Sequence, residues 1–404
     1  MRDRRQCGKT PRASPPRRRQ NPPSDHYVTA PTNDPTTLVW MEDDAQRQLR
    51  WRSERGLPAP KRVVLADDTM TADVAFRLAS EGTALLWQGD FQNARQLLQA
   101  IARRIDKRAR PAEGEPRERF NRYRMAQAQR ARTLGMLLVP VQADHSIPLR
   151  RAPDVRQAFL EVYGQLDEPY ALSLRELQGL VGAHEWRSKG VEIGALGARI
   201  HPHYGVFSPV RGEYLDLVAR APLPAQDLAF DIGTGTGVLA ALLARRGVQR
   251  VVATDQDPRA LACASENIAR LGLATRVSVT KADLFPEGQA SLIVCNPPWL
   301  PAKPGSPLEH AVYDPDSRML RGFLQGLRAH LAPGGEGWLI MSDLAERLQL
   351  RGPGELAGWI EGAGLKVAGR LDARPRHGRP ADADDPLHAE RAAEVTTLWR
   401  LIAA

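Results

Sequence analysis

The plainest pattern along the chain lies in its second half, where short apolar runs alternate with amphipathic helical stretches. Residues 228–231 read as a buried strand, 238–246 as a helix closed by Gly247, 250–255 as a second strand and 258–271 as a second helix. Strands are predicted at 277–281 and 292–295. A helix over 316–331 stops at Pro-Gly-Gly, and a strand at 337–341 and a helix at 355–362 follow. The last two strands, 366–371 and 395–402, are joined by a polar segment with few helix signals. They are expected to pair antiparallel at one edge. Strands alternating with helices imply βαβ units and a parallel sheet.

The first half is less regular. Strands are predicted at 61–66 and 83–87 with a helix at 72–80 between them, followed by a helix at 91–105. Two prolines in 111–116 interrupt that helical pattern, which resumes over 117–134. A strand at 137–141 and a helix at 153–163 complete a small α/β domain. Residues 1–36 are rich in Pro, Arg, Ser, Asn and Asp and lack apolar periodicity, so a disordered basic tail is expected there. The predicted organisation is therefore a tail (1–36), an N-terminal α/β domain (37–180) and a second α/β domain (190–404).

Composition narrows the class. A chain of 404 residues has material for two or three domains. No window approaches the ~18 consecutive apolar residues of a membrane span, and the first residues lack the apolar core of a secretory signal. Cys7, Cys263 and Cys295 suit neither a disulfide framework nor a zinc site. The expectation is a soluble cytoplasmic protein without a bound metal. The formal charge of +9 is concentrated in two segments, 1–20 and 103–132, which suggests a polyanionic partner for those segments alone.

Four motifs carry chemistry. Asp231-Ile-Gly-Thr-Gly-Thr-Gly237 stands between a predicted strand and helix, where Gly233, Gly235 and Gly237 permit a sharp turn and close approach of a ligand to the helix N-terminus. The spacing is not that of a dinucleotide fingerprint, and no Gly-Lys-Ser/Thr follows, which excludes a P-loop. Asp255 ends the next strand, where a carboxylate can accept both hydroxyls of a ribose; Asp257 suits the helix-capping position better. Asp283 ends the third strand and is placed to accept from an adenine amino group or simply to end the strand. Asn296-Pro-Pro-Trp299 ends the fourth. Its prolines stop and stiffen the chain, the Asn296 amide oxygen and the Pro297 carbonyl can accept from one NH2 group, and Trp299 offers a flat surface to a planar group.

Together these motifs resemble the class I S-adenosylmethionine-dependent methyltransferases, in the small-domain group with an Asn-Pro-Pro-aromatic motif that includes release-factor glutamine and rRNA guanine-N2 methyltransferases. His203–Pro209 is similar to that group's entry segment. The resemblance covers about residues 190–404. It implies a Rossmann-like, seven-stranded, mostly parallel sheet with an antiparallel last strand, preceded by the smaller α/β domain. It assigns Asp231, Gly233, Thr234, Gly235, Gly237, Asp255, Asp283 and Asn296 to S-adenosyl-L-methionine. Asn296, Pro297, Pro298 and Trp299 are assigned to the acceptor nitrogen. Two departures stand out: Ser291 replaces an acid commonly found before the Asn-Pro-Pro strand, and the aromatic is Trp where Tyr or Phe is usual.

The leading expectation is methylation of an exocyclic amine of RNA, most plausibly ribosomal RNA. Arg117, Arg119, Phe120, Arg122, Tyr123 and Arg124 would form a basic face that helps to hold it. The alternative acceptor is a glutamine amide of a protein such as a release factor. DNA adenine and a non-catalytic RNA-binding role rank lower. His201 and His203 are expected on an exposed hairpin, Cys263 and Cys295 as small buried residues, and residues 300–314 as a cover over the acceptor pocket.

Overall fold

The computed structural model describes residues 35–108, 113–209, 212–375 and 385–404. The predicted tail, apart from its last two residues, and Cys7 lie outside the described residues. In the first half the chain runs through β1 (Thr37–Glu42), β2 (Ala45–Trp51), β3 (Arg62–Ala66), α1 (Ala72–Ser80), β4 (Thr83–Trp87), α2 (Phe91–Arg108) and α3 (Pro116–Leu134). It continues through β5 (Leu137–Val141), α4 (Arg156–Tyr163), β6 (Tyr170–Ser173) and α5 (Leu174–Lys189). These strands form one sheet in the order β1-β2-β6-β5-β4-β3. β3, β4 and β5 are parallel, as helical crossovers require, whereas β6 is antiparallel to β5.

Strand β4 shows why this sheet is sandwiched. Leu85 and Trp87 enter one apolar cluster and Ala84 and Leu86 another, so alternate side chains are buried on both faces. Helix α1 starts where the Thr71 hydroxyl accepts from the Val74 amide, and α5 where Ser173 accepts from Glu176. The hairpin of β1 and β2 turns at Asp43 and Asp44, both at positive φ (50° and 59°), the backbone a two-residue hairpin turn needs.

A short antiparallel pair, β7 (Val191–Ile193) and β8 (Ala198–Ile200), leads into α6 (Glu213–Arg220), β9 (Leu228–Ile232), α7 (Val238–Arg245), β10 (Arg250–Asp255), α8 (Pro258–Arg270), β11 (Val277–Lys281) and β12 (Ala290–Cys295). There follow α9 (Arg318–His330), β13 (Leu331–Ser342), α10 (Leu344–Arg347), α11 (Glu355–Gly362), β14 (Leu365–Ala373), α12 (His388–Ala392) and β15 (Thr396–Ala403). β9 to β15 build a seven-stranded sheet in the order β11-β10-β9-β12-β13-β15-β14. Only β15 runs antiparallel to its neighbours β13 and β14, which is the predicted mostly parallel, Rossmann-like architecture with an antiparallel last strand. Ala229, Leu292, Val294, Trp338 and Ile340 fill one face; Phe230, Ile232, Ile293, Cys295, Leu339 and Met341 fill the other. The period of two thus places alternate residues of the three central strands in separate cores. β13 begins six residues before the predicted strand: it includes Pro-Gly-Gly, with a register shift against β12 between Ala290 and Leu292.

The two sheets are joined in part through Arg119, Phe120 and Tyr123, expected on an RNA-holding face. Phe120 of α3 is buried in a cluster with Leu300, Leu344, Ala345, Leu348 and Leu387. Arg119 pairs with the buried Glu390, Arg391 lies over the Tyr123 ring, and Glu54 pairs with Arg259 at 2.7 Å. One side of the Arg-rich helix, with Arg119, Phe120 and Tyr123, therefore serves as an internal interface, while Arg117 and Arg122 stay exposed.

Candidate functional site

Every motif converges on one edge of the seven-stranded sheet. β10 and β11 build outward from one flank of β9 and the chain then returns to place β12 on the other, and ligands of open α/β sheets bind at such a switch point beyond the strand C-termini. Ile232 is in register with Cys295, so Gly233 and Asn296 are the next residues of adjacent strands. The glycine loop and the Asn-Pro-Pro-Trp segment leave the sheet side by side.

The loop is held from beneath. Gly233 and Thr234 amides donate to the Thr254 carbonyl at 2.9 and 2.8 Å. Asp231 is fully buried, and its Oδ2 accepts from the Thr234 hydroxyl (2.6 Å) and the Ala240 amide (3.0 Å). Burial pushes its carboxyl up to about 6. Asp231 and Thr234, both expected to face the cofactor, turn their side chains inward to each other and anchor the turn. The other Asp231 oxygen, Oδ1, is buried without a hydrogen-bond partner among the described residues.

The three glycines do different work. Gly237 (φ 80°) is pressed against α8: a Cβ there would lie 3.2 Å from Ala264 Cα. A Cβ on Gly233 (φ 72°) would lie 2.4 Å from Met319 Cε. Gly235 (φ 56°) faces open space, and its amide donates to Asp255 Oδ2 at 3.0 Å. Asp255 also accepts from the Asp257 amide through Oδ1, and burial raises its pKa. Asp257 caps α8 by accepting from Arg259, with Pro258 opening the helix. Asp283 is exposed, accepts from Gln256 Nε2 and lies 3.6 Å from Arg318. An open glycine cradle flanked by a carboxylate and a second acid fits a nucleoside-bearing cofactor in donor and acceptor chemistry.

On the acceptor side the Trp299 indole N–H donates to Asn296 Oδ1 at 3.0 Å. Phenylalanine lacks such a donor, so the unusual Trp fixes which amide atom of Asn296 faces the ring. Pro297 is buried; Pro298 and Trp299 are half-buried, and Trp299 packs against the apolar clusters of both sheet faces. Arg351, almost wholly buried, donates to the Trp299 carbonyl at 3.4 Å. Nothing in the local sequence marks Arg351 or Met319 as neighbours of the site. Ser291, which replaces the usual acid, donates to Asp227 of the neighbouring strand end at 2.7 Å, so a carboxylate is still supplied there.

The histidines differ from expectation. His201 and His203 follow the β7–β8 pair and fasten the chain to α8: the His201 amide donates to Asn267 Oδ1, and His203 Nε2 lies 2.7 Å from Glu266. Cys263 and Cys295 are buried, as their sequence positions suggest. Residues 300–314, expected as a cover, are tied by bonds within the segment, Leu300 to Val312 and Asp314 to Leu300. The buried Asp314 carboxylate accepts from the Met319 and Leu320 amides.

Residues 198–349 match the family model described as the methyltransferase small domain. The chain is 37% identical over 164 residues to the release factor glutamine methyltransferase of Cereibacter sphaeroides, covering 36% of this chain and 56% of that protein. It is 29% identical over 162 residues to a putative protein N5-glutamine methyltransferase of Methanocaldococcus jannaschii, covering 38% and 80%. It is 48% identical over 69 residues to the ribosomal protein L11 methyltransferase of Pelotomaculum thermopropionicum, covering 17% and 22%. Among solved structures, a methyltransferase from Pyrococcus furiosus aligns with TM-score 0.37 and 18% identity over 57% of this chain and 98% of that one. The chain spans between about two fifths and three fifths of the length of the release factor methyltransferases it matches. No helix among the described residues is long and apolar enough to cross a membrane.

Proposed function

We propose that this protein is an S-adenosyl-L-methionine-dependent N-methyltransferase whose acceptor is the side-chain amide of a glutamine in a protein partner. The observation that carries this is the adjacency of Gly233 and Asn296, which sets a cofactor cradle beside a rigid planar-nitrogen motif. The cofactor supplies an electrophilic methyl group on a sulfonium.

In this reading Gly235 admits the cofactor, Asp255 accepts from its ribose hydroxyls in place of the Gly235 amide, and Asp283 accepts from its adenine amino group. Asp231 and Thr234 hold the loop in shape from below. An amide nitrogen has a delocalised lone pair and is a weak nucleophile. Asn296 Oδ1, with a lone pair left after the indole bond, and the Pro297 carbonyl would accept its two hydrogens and turn that lone pair toward the methyl group; the N–CH3 bond would form as the S–CH3 bond breaks with its electron pair left on sulfur, and one of the two N–H protons would then leave to water. The rate gain is orientation and electrostatics, without a covalent enzyme intermediate.

The glutamine acceptor is favoured over an RNA base by two facts. Relatives that align through this region are named as glutamine methyltransferases. Four of the residues expected to hold RNA, Arg119, Phe120, Tyr123 and Arg124, are engaged inside the protein. The RNA reading keeps the support of exposed cations on two helices, Arg103, Lys107 and Arg108 of α2 and Arg117 and Arg122 of α3. Incubation with labelled S-adenosylmethionine and cell extract separates the two. Label in protein that survives nuclease supports the glutamine reading; label removed by nuclease and resistant to protease defeats it.

A further inference from the structure

The segment that continues from Trp299 is gripped by the other sheet's elements. Arg55, which follows β2, donates through Nε to the Gly305 carbonyl at 2.7 Å. Arg124 of α3 donates to the Lys303 carbonyl, pairs with Glu309 at 3.5 Å and lies over the Tyr313 ring, 3.8 Å from its centroid. Glu309 in turn accepts from the Gly305 amide at 2.7 Å, and Phe120 faces Tyr313 with ring centroids 6.5 Å apart. The grip therefore falls on residues 303, 305, 309 and 313, which span most of the loop.

That loop touches both halves of the site. Its first residue, Leu300, is bonded to Trp299 and bridges to Tyr313. Its last residue, Asp314, accepts from the Met319 amide, and the Met319 methyl lies against Gly233 of the cofactor loop. Two arginines from outside the methyltransferase small domain thus set a segment that runs from the acceptor motif to the cofactor cradle.

We propose that Arg124, seconded by Arg55, is a positioning residue for the acceptor pocket: it holds the 300–314 loop, and through Leu300 the Trp299–Asn296 pair, in the geometry that receives the acceptor amide. This rests on the methyltransferase reading above. The guanidinium is suited to the task because one planar group serves a carbonyl, a carboxylate and an aromatic face at once, which an ammonium cannot do. The N-terminal α/β unit then acts on catalysis as a brace, independently of any contact it makes with the substrate.

The test compares Arg124→Ala, Arg124→Lys and Arg55→Ala with the wild-type full chain. Hydrogen exchange at the Leu300 and Asp314 amides reads the loop without needing turnover. Both should exchange about tenfold faster in Arg124→Ala, less so in the other two variants. With the labelled acceptor, Arg124→Ala should raise KM for the acceptor about tenfold, leave the dissociation constant for S-adenosylmethionine unchanged, and be partly rescued by Lys. Unchanged loop exchange overturns the proposal. So does a parallel loss of cofactor affinity and thermal stability in all three variants, which would mark the arginines as general fold contacts. If the wild-type protein methylates no acceptor, the functional reading fails, and the exchange experiment alone decides whether the brace exists.

Discussion

Replacing Trp299 by Phe tests one bond at the centre of the site. The substitution keeps an aromatic ring among the same apolar neighbours, shrinks the indole to a phenyl and removes the N–H that donates to Asn296 Oδ1 at 3.0 Å. A neutral hydrogen bond of that length contributes about 1 kcal/mol net. It is also what distinguishes the two orientations of the Asn296 amide, whose terminal torsion is otherwise roughly two-fold. With the bond, about five molecules in six hold the oxygen toward the ring; without it, about half do. If only that population matters, the rate falls about twofold; if the whole bond is expressed in orienting the acceptor nitrogen, it falls about fivefold to tenfold. The loss should appear in kcat, with the affinity for S-adenosylmethionine unchanged by calorimetry. Trp299→Ala should lose far more, since the flat surface goes as well. Full wild-type rate in Trp299→Phe would refute the reasoning and leave Trp299 as a packing surface only.

Other outcomes follow from the same geometry. Asn296→Ala should abolish transfer while cofactor affinity stays within about twofold of wild type; Asp255→Ala should weaken cofactor binding first, and equal losses of binding in both would contradict their assigned roles. Gly235→Ala should cost about 1 kcal/mol of stability from its positive φ yet reduce cofactor affinity more than tenfold by filling the cradle, whereas Gly237→Ala should lower the melting temperature more, because its Cβ meets α8. The buried Asp231 carboxyl has a folded-state pKa of about 6, above its ordinary 3.8. A raised carboxyl pKa contributes stability at low pH that is lost as pH rises from about 4 through about 6, a difference of about 3 kcal/mol over two decades of proton affinity. The stability gap between the wild-type apoprotein and Asp231→Asn should therefore shift by that amount, in favour of the Asn variant, from pH 4 to pH 7; a constant gap would show that Asp231 does not titrate there.

The C-terminal sheet is legible in the sequence because its signals are local. Leu228–Ile232 and Ala290–Cys295 are short apolar runs cut off by glycines or prolines, and α8 announces itself by Asp257 and Pro258. Strand β2 gives no such sign: its residues are mostly exposed and polar, and it exists because β1 and β6 flank it. β6 is four residues long, and its last residue serves as the cap of α5. The direction of the Asp231 and Thr234 side chains is set by the turn of the glycine loop, which residue types alone do not specify. The partners of Arg124 lie about 180 residues away in sequence, so the helix that carries it reads as a solvated basic face until the two sheets are seen together.

The central claim, transfer to a glutamine amide, is tested most directly by tandem mass spectrometry of the macromolecule labelled in extract by the wild-type protein and left unlabelled by Asn296→Ala. The account predicts a single methyl group on the side-chain nitrogen of a glutamine. A methyl group on a nucleobase, or on a lysine amine, would contradict it.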